Sequence, residues 1–502
     1  MTTLSTKNVY SIGIISLVLG LAFTYLFFDK VPGISLVIYV ALILSGLFGL
    51  LTYFKIQSRK IIAYYLLPLL FFPFMVSVQD NEFLTFFNFV MTLGLLMLLS
   101  SHLVGQSVKN FLILDYAKTA VLLPLKIIGK AFNALVRMLS VGKGIKDNQQ
   151  TSQVTKGVLL TIPIVLFFLA LFSSADLAFN HFLSGLFNFN FNLNENTIPK
   201  IWWTGIFTFV WLGAGTYILE NGKEGKIVEV EEKVPTYRFG NIEAGILFTT
   251  LNVLFLTFVI VQIKYLFAGH SAITSLGFTY ADYAHKGFGE LVTVALFTFG
   301  LIFLADVYIE RKENQSGVLF KSLTGLLIIL VLVIMASAFT RLNIYEQAYS
   351  FTRQRILVQG FILWLAVVFL WLSYKIMFGT KTRQFIFGIF LSIITFFVVF
   401  NLFNPDAFIA KKNIAKDLNT GRLDTKYLSI LSADAIPELA PLLNMPMAKD
   451  INGNPLPHEV AVILKNYHDL NLTQSWQSYN FSRARAKNII NNNWDLISKL
   501  AQ

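Results

Sequence analysis

Eleven stretches of roughly 20 predominantly apolar residues run along the chain, at 9–28, 32–54, 61–78, 83–104, 157–175, 201–219, 242–266, 288–308, 317–340, 356–378 and 385–403. Each approaches the length that one helix needs to cross a bilayer core. The pattern therefore predicts an all-α fold, a polytopic transmembrane bundle of about 11 spans. The third stretch is short and holds Pro68 and Pro73. A kink or a re-entrant segment is its alternative, which widens the count to about ten to twelve. The first stretch lacks a small-residue cleavage site and reads as a span in its own right.

Between the spans the pattern changes. In 105–156, Val121, Leu122, Leu125, Ile128, Phe132, Leu135 and Met138 recur at helical spacing with Lys126, Lys130 and Arg137 among them. That is a basic amphipathic helix, either lying on an anionic leaflet or packed under the bundle. Lys143 to Lys156 is polar and reads as a linker, and 220–241 as a solvated loop with a small hairpin as its alternative. After Phe403 the apolar runs stop. Asn404, Pro405 and Asp406 form a helix start, Leu423–Leu431 a second short helix, Ser432 with Asp434 a third start, and Phe481–Leu500 a last amphipathic helix. The tail thus reads as a small helical domain, with Trp476, Phe481, Ile489, Ile490, Trp494 and Ile497 available for its core.

Composition agrees with this solvent. Apolar residues make up 55% of 502, charged ones 14%, mean hydropathy is +0.63, and Phe alone contributes 49. A soluble domain carries about 25% charged residues. The formal charge of +12 would suggest nucleic acid in a soluble protein. Here it follows the excess of Lys and Arg in cytoplasmic loops, and no nucleic-acid motif accompanies it. With the amino terminus inside, the inner segments hold 22 basic residues, the outer loops 7 and the tail 11. This predicts a membrane protein with its amino terminus cytoplasmic and its tail extracytoplasmic. The layout is a four-span segment (1–104), a cytoplasmic connection (105–156), a seven-span core (157–403) and a helical domain (404–502).

Candidate chemistry is sparse. Cysteine is absent, which excludes thiolate catalysis and Cys-ligated metals. Phosphate-loop, nucleophile-elbow and His-Glu-x-x-His patterns are missing, so no cofactor, metal or catalytic residue is expected. Asn252, Gln262 and Gln359 are polar groups within spans and read as interhelical hydrogen-bonding residues. The outer rim is richer. Thr279 and Asp282 form a capping box that would place Tyr283, Lys286 and Glu290 on one face, next to Tyr280. In 341–355, a helix would align Glu346, Tyr349 and Arg353. Arg341, Arg353 and Arg355 run against the positive-inside bias, which calls for carboxylate partners or a bound anion. Asp176, Tyr280, Tyr283, Glu290, Arg341, Glu346, Arg353 and Arg355 are therefore expected to form one outer polar cluster, structural or anion-binding.

Several segments resemble the bacterial integral-membrane family catalogued as domain of unknown function 4173, some of whose members carry two-component regulatory labels. They are SSAD at 173–176, NVLFLTFVIVQIKYLFAGH at 252–270, TYADYAHKGFGEL at 279–291, RLNIYEQAYSFTRQRI at 341–356, and NPDAFIAKKNIA with LDTKYLSILSADAIPEL within 404–439. The resemblance implies a bacterial inner-membrane protein, spans 157 to about 440, and brings no established activity. The chain has no histidine-kinase ATP-binding region to support the regulatory label.

Three functional readings follow. The first is a sensing, scaffolding or partner-binding module acting through the outer face and tail, with a membrane or periplasmic protein partner. The second is a carrier for a small anionic or lipid-linked solute held by Arg341, Arg353 and Arg355. The third is a membrane transferase using an outer carboxylate such as Asp29, Asp80 or Glu82. The partners expected under all three are the lipid bilayer and anionic headgroups at 105–140, with no nucleic acid.

Overall fold

The computed structural model describes residues 6–55, 62–140, 197–222, 241–267, 288–308, 315–418, 421–470 and 475–502. Ten of the eleven apolar stretches are helices: α1 (Thr6–Phe27), α2 (Ile34–Tyr53), α3 (Ile62–Val78), α4 (Glu82–Leu103), then, beyond α5, α6 (Thr197–Asn221), α7 (Asn241–Phe267), α8 (Phe288–Tyr308), α9 (Gln315–Tyr349), α10 (Arg353–Phe378) and α11 (Thr382–Phe403). The stretch 157–175, the linker 143–156 and most of the loop 220–241 lie outside the described residues. The basic amphipathic segment forms α5 (Ile113–Ser140). Among the described residues ten helices, α5 among them, are long and apolar enough to cross a membrane, and α3 is a shorter apolar helix. The fold is an all-α polytopic bundle. Among the described residues the β pairing is a single bridge between Lys449 and Pro455.

Two packed groups share one helix. Phe248, Ala295, Leu327, Phe369 and Phe385 form the core of α7 to α11. Leu36, Val40, Leu69, Phe72 and Leu99 join α2, α3 and α4. Along α11, Phe385 and Ile386 belong to the first core, whereas Phe390, Ile394 and Phe397 pack on the second. That helix ties the groups together. Asn252 donates to the Leu323 carbonyl at 2.9 Å, linking α7 to α9, and Lys375 on α10 pairs with Asp306 on α8.

α5 starts at one end of the bundle. Its neighbours are Val9 and Ile12 near the start of α1, Leu51 at the end of α2, Leu103 near the end of α4, and Leu219 at the end of α6. At its own start Tyr116 packs on Phe390 of α11. From these helix ends α5 runs on obliquely along α6, where Phe132 packs on Phe209 and Ala134 on Leu212, near the middle of that helix. Lys130 and Arg137 grip Glu220 at 2.5 and 2.6 Å. A Cβ at Gly213 would sit 2.2 Å from the Ile127 carbonyl oxygen, so only glycine permits this approach of α5 to α6. The outer side of α5 exposes Leu114, Val121 and Leu125, with Lys118 and Lys126 between them.

The tail sits at the opposite end. It comprises α12 (Pro405–Asp417), α13 (Thr425–Ser429), α14 (Ile436–Leu439), α15 (Leu456–Leu470), α16 (Phe481–Asn492) and α17 (Trp494–Leu500). They surround a core that includes Leu428, Leu439, Leu456, Val460, Leu464, Ile490 and Ile497. The expected single helix over Phe481–Leu500 is broken at Asn493, whose side chain donates to the Ile489 carbonyl at 2.8 Å. Consecutive asparagines favour such local bonds over helix continuation. The short helix expected over Leu423–Leu431 is limited to Thr425–Ser429, with Asp424 as its cap. α15 had no counterpart in the sequence reading.

Candidate functional site

The chain turns sharply where a single helix over 341–355 would have aligned three polar residues. α9 ends at Tyr349, Ser350 takes a left-handed φ of 67°, and α10 begins at Arg353 behind the Thr352 cap. Glu346, Tyr349 and Arg353 therefore do not share a helix face. The turn is held by the tail. Ser350 donates its hydroxyl to Asp417, and Lys416 donates to the Glu346 carbonyl at 3.2 Å and to Ser350 Oγ at 3.1 Å. Phe351 N donates to Asn413 Oδ1 at 2.7 Å, while Asn413 Nδ2 returns a bond to Phe351 O at 3.0 Å.

Arg353 makes the strongest contact in this turn. Its Nε and Nη2 donate to the two carboxylate oxygens of Asp406 at 2.7 and 2.5 Å. Asp406 is fully buried in the first turn of α12 and also accepts Ser432 N at 2.9 Å. This is the two-pronged geometry that a guanidinium offers and an ammonium cannot. Arg355 donates to the carbonyls of Tyr349 and Ser350 and lies 4.3 Å from the Tyr345 ring centroid. Glu346 is buried and accepts from Gln359 at 2.5 Å. Arg341 is buried within α9.

Glu290 stands exposed at the start of α8, and among the described residues it has no hydrogen bond or ion pair with these arginines. Asp176, Tyr280 and Tyr283 lie outside the described residues, as do Thr279 and Asp282. The structure thus gathers Glu346, Arg353 and Arg355 around the α9–α10 turn, with partners drawn largely from the tail.

A second polar group joins the tail to the α1–α2 and α3–α4 connections. Arg483 of α16 reaches Asp80 at 2.8 Å and donates to the Pro32 carbonyl at 2.6 Å. Asp434 accepts from Asp80 N at 2.9 Å, Asn404 Nδ2 at 3.0 Å and Ser482 Oγ at 2.7 Å. Asn480 donates to the carbonyls of Val76 and Gln79. Ile34 N donates to Tyr479 O at 2.9 Å. A Cβ on Gly33 would meet that same oxygen at 2.4 Å. Burial pushes the Asp80 carboxyl up to about 6; the Arg483 charge opposes that rise and Asp434 adds to it. Beneath this group, Asn88 of α4 and Asn401 of α11 exchange side-chain bonds at 2.9 Å in both directions.

Sequence reasoning found Arg353 but not its partner. In the sequence Asp406 reads only as a first-turn acid, and Asp434 only as part of a helix start. Their signal was that charged residues are rare in this chain and a buried one requires a counter-charge. Asn88 and Asn401 had a plainer signal, being amides inside otherwise apolar stretches.

The family described as a domain of unknown function, DUF4153, matches residues 61–442. The resemblance to domain of unknown function 4173 is thereby corrected: the matched family is a different one, and it begins at α3 instead of at residue 157. The segments that suggested the other family are short, four to nineteen residues each, and the match over 61–442 outweighs them. The match also runs from the bundle into the tail, so Arg353, Asp406 and Asp434 all fall within it. No curated protein and no solved structure matches the chain.

Proposed function

We propose that this chain, which belongs to the DUF4153 family, serves as a sensing, scaffolding or partner-binding module of the bacterial inner membrane, with its amino terminus cytoplasmic and its tail extracytoplasmic. The observation that carries the reading is the double joint between bundle and tail. Arg353–Asp406, Asp80–Arg483–Asp434 and the bond from Arg483 to the Pro32 carbonyl fix the tail through three separate connections of the bundle. Buried ionic and amide groups of this kind cost desolvation and return geometric definition, which suits a domain that must be presented in one orientation. Arg353 and Arg355, two of the three rim arginines that a carrier would use on an anion, are instead engaged by Asp406 and by backbone carbonyls. The 22 to 7 distribution of basic residues supports the orientation. At the other end, the exposed leucines and lysines of α5 support contact with anionic headgroups.

Met447 and Ile451 protrude from the tail, at 94% and 55% exposure, and are natural reporters of a partner. A photo-crosslinking residue placed at each in turn, in native membranes, should give one discrete protein adduct. Asp406→Ala, which loosens the joint, should weaken that adduct. Absence of a discrete adduct at both positions would overturn the reading.

A further inference from the structure

A cleft of about 1210 Å³ runs between α1 and α6 on the flank of the bundle, closed at its upper end by Ser475 and Ser478 of the tail. Its two ends differ in chemistry. At the tail side stand Lys30, Lys200, Thr24 and Thr204, with the two threonine hydroxyls 2.8 Å apart. Toward the other side the lining is Leu17, Leu21, Phe209 and Leu212. From Lys200 to Leu212 the axis of α6 advances about 18 Å, close to one leaflet of a hydrocarbon core about 30 Å thick.

Neither lysine has a carboxylate partner among the described residues. Lys30 donates to the Tyr25 carbonyl and sits 4.8 Å from that ring's centroid, and Lys200 is 5.4 Å from the Phe28 ring. Asp29 lines the same mouth and is exposed, without an ion pair to either. Burial and the nearby Lys200 charge both hold the Lys30 ammonium below its usual range. Two lysines and a single unpaired carboxylate leave this mouth with a net positive charge, which an anion would neutralise.

The level of this mouth is marked independently. Tyr25 and Trp476 pack with ring centroids 6.3 Å apart, and Trp476 and Phe481 are about half exposed around it. Exposed aromatic rings of this kind collect at the headgroup boundary of a bilayer. Below them Leu17 and Leu21 are also about half exposed, facing what would be hydrocarbon.

We propose that this cleft binds an anionic phospholipid of the leaflet on the tail side, its phosphate between Lys30 and Lys200 and its acyl chains along Leu17, Leu21, Phe209 and Leu212. The charge at one end and the apolar length below it match an amphiphile of this class and not a soluble anion. The site lies on a different helix pair from the rim arginines, and it stands or falls separately from the partner-binding reading.

Because the chain has no cysteine, Leu17→Cys can carry a single fluorophore in the full-length protein. The protein is placed in phosphatidylcholine nanodiscs doped with either brominated phosphatidylglycerol or brominated phosphatidylcholine, and quenching is read against lipid fraction. A lysine near a membrane surface contributes roughly a fivefold preference for acidic lipid, so the pair should give about thirtyfold. The brominated phosphatidylglycerol should therefore quench at a correspondingly lower fraction. Lys30→Gln with Lys200→Gln should abolish the preference, while Lys411→Gln with Lys412→Gln, two exposed tail lysines, should leave it intact. Equal quenching by both lipids, persistence in the Lys30/Lys200 variant, or displacement by excess inorganic phosphate would each overturn the proposal, the last by showing a soluble-anion site.

Discussion

Removing the Arg353 guanidinium should release the tail from the α9–α10 turn. In the structure Asp406 is wholly buried and receives three donors, two from Arg353 and one from Ser432 N. Arg353→Ala leaves a buried carboxylate with a single backbone donor. Breaking a fully buried pair costs about 3–5 kcal/mol. The Arg353 side chain is 32% exposed, so water reaches the vacated site and the loss should fall to about 2–3 kcal/mol. That corresponds to roughly a 30- to 150-fold drop in the docked-to-undocked ratio of the tail. Arg353→Lys keeps the charge without the fork and should lose about half as much free energy. Limited proteolysis of the tail in nanodiscs, with thermal unfolding alongside, measures both variants. A cycle with Asp406→Ala should show non-additivity of at least about 1 kcal/mol. Tail protection within twofold of the parent in Arg353→Ala, or strict additivity in the cycle, would refute the reasoning.

Asp80 should make tail docking pH-dependent. Its carboxyl is raised from 3.8 to about 6, so the docked state binds the proton more readily; docking is firmest below about pH 4 and weakens as pH rises through 6. Protease protection measured between pH 4 and 8 should fall accordingly, and Asp80→Asn should flatten the profile; a rise with pH would contradict the sign. Gly213→Leu should displace α5, because even a Cβ there would lie 2.2 Å from a backbone oxygen; a large loss of thermal stability is expected, and an unchanged melting temperature would count against the close packing. A cysteine placed at the exposed Asn491 should react with an impermeant reagent in intact spheroplasts; reaction only after lysis would reverse the proposed orientation.

Much of this protein was legible without coordinates, and the reason is the solvent. A bilayer demands that a spanning segment satisfy its own backbone and present apolar side chains, so α1, α2, α4 and α11 are written as nearly uninterrupted runs. The amphipathic period of α5 was equally readable, as was the Asn404–Pro405–Asp406 start of α12. These are local signals, each contained within about one helix of sequence. Where the chain folds back, local reading failed. Nothing in 341–355 marks Ser350 as a left-handed turn, because that conformation is stabilised by Asp417 and Lys416, more than sixty positions away.

The same distance separates what sequence and tertiary structure each determined about the candidate sites. Residue types alone dictated that Arg353 needed a counter-charge, since an arginine at a membrane boundary is costly without one. Only the packing of α12 against α10 decided that Asp406 supplies it and that Glu290 does not. Lys30, just after α1, and Lys200, in the first turn of α6, lie 170 positions apart and look unrelated until the two helices are placed side by side. Asn88 and Asn401 are separated by more than three hundred positions. Partner choice among buried polar groups depends on hydrogen-bond geometry within about 3 Å. Helix periodicity determines which face a residue occupies, but only the arrangement of neighbouring helices brings two such faces within that reach.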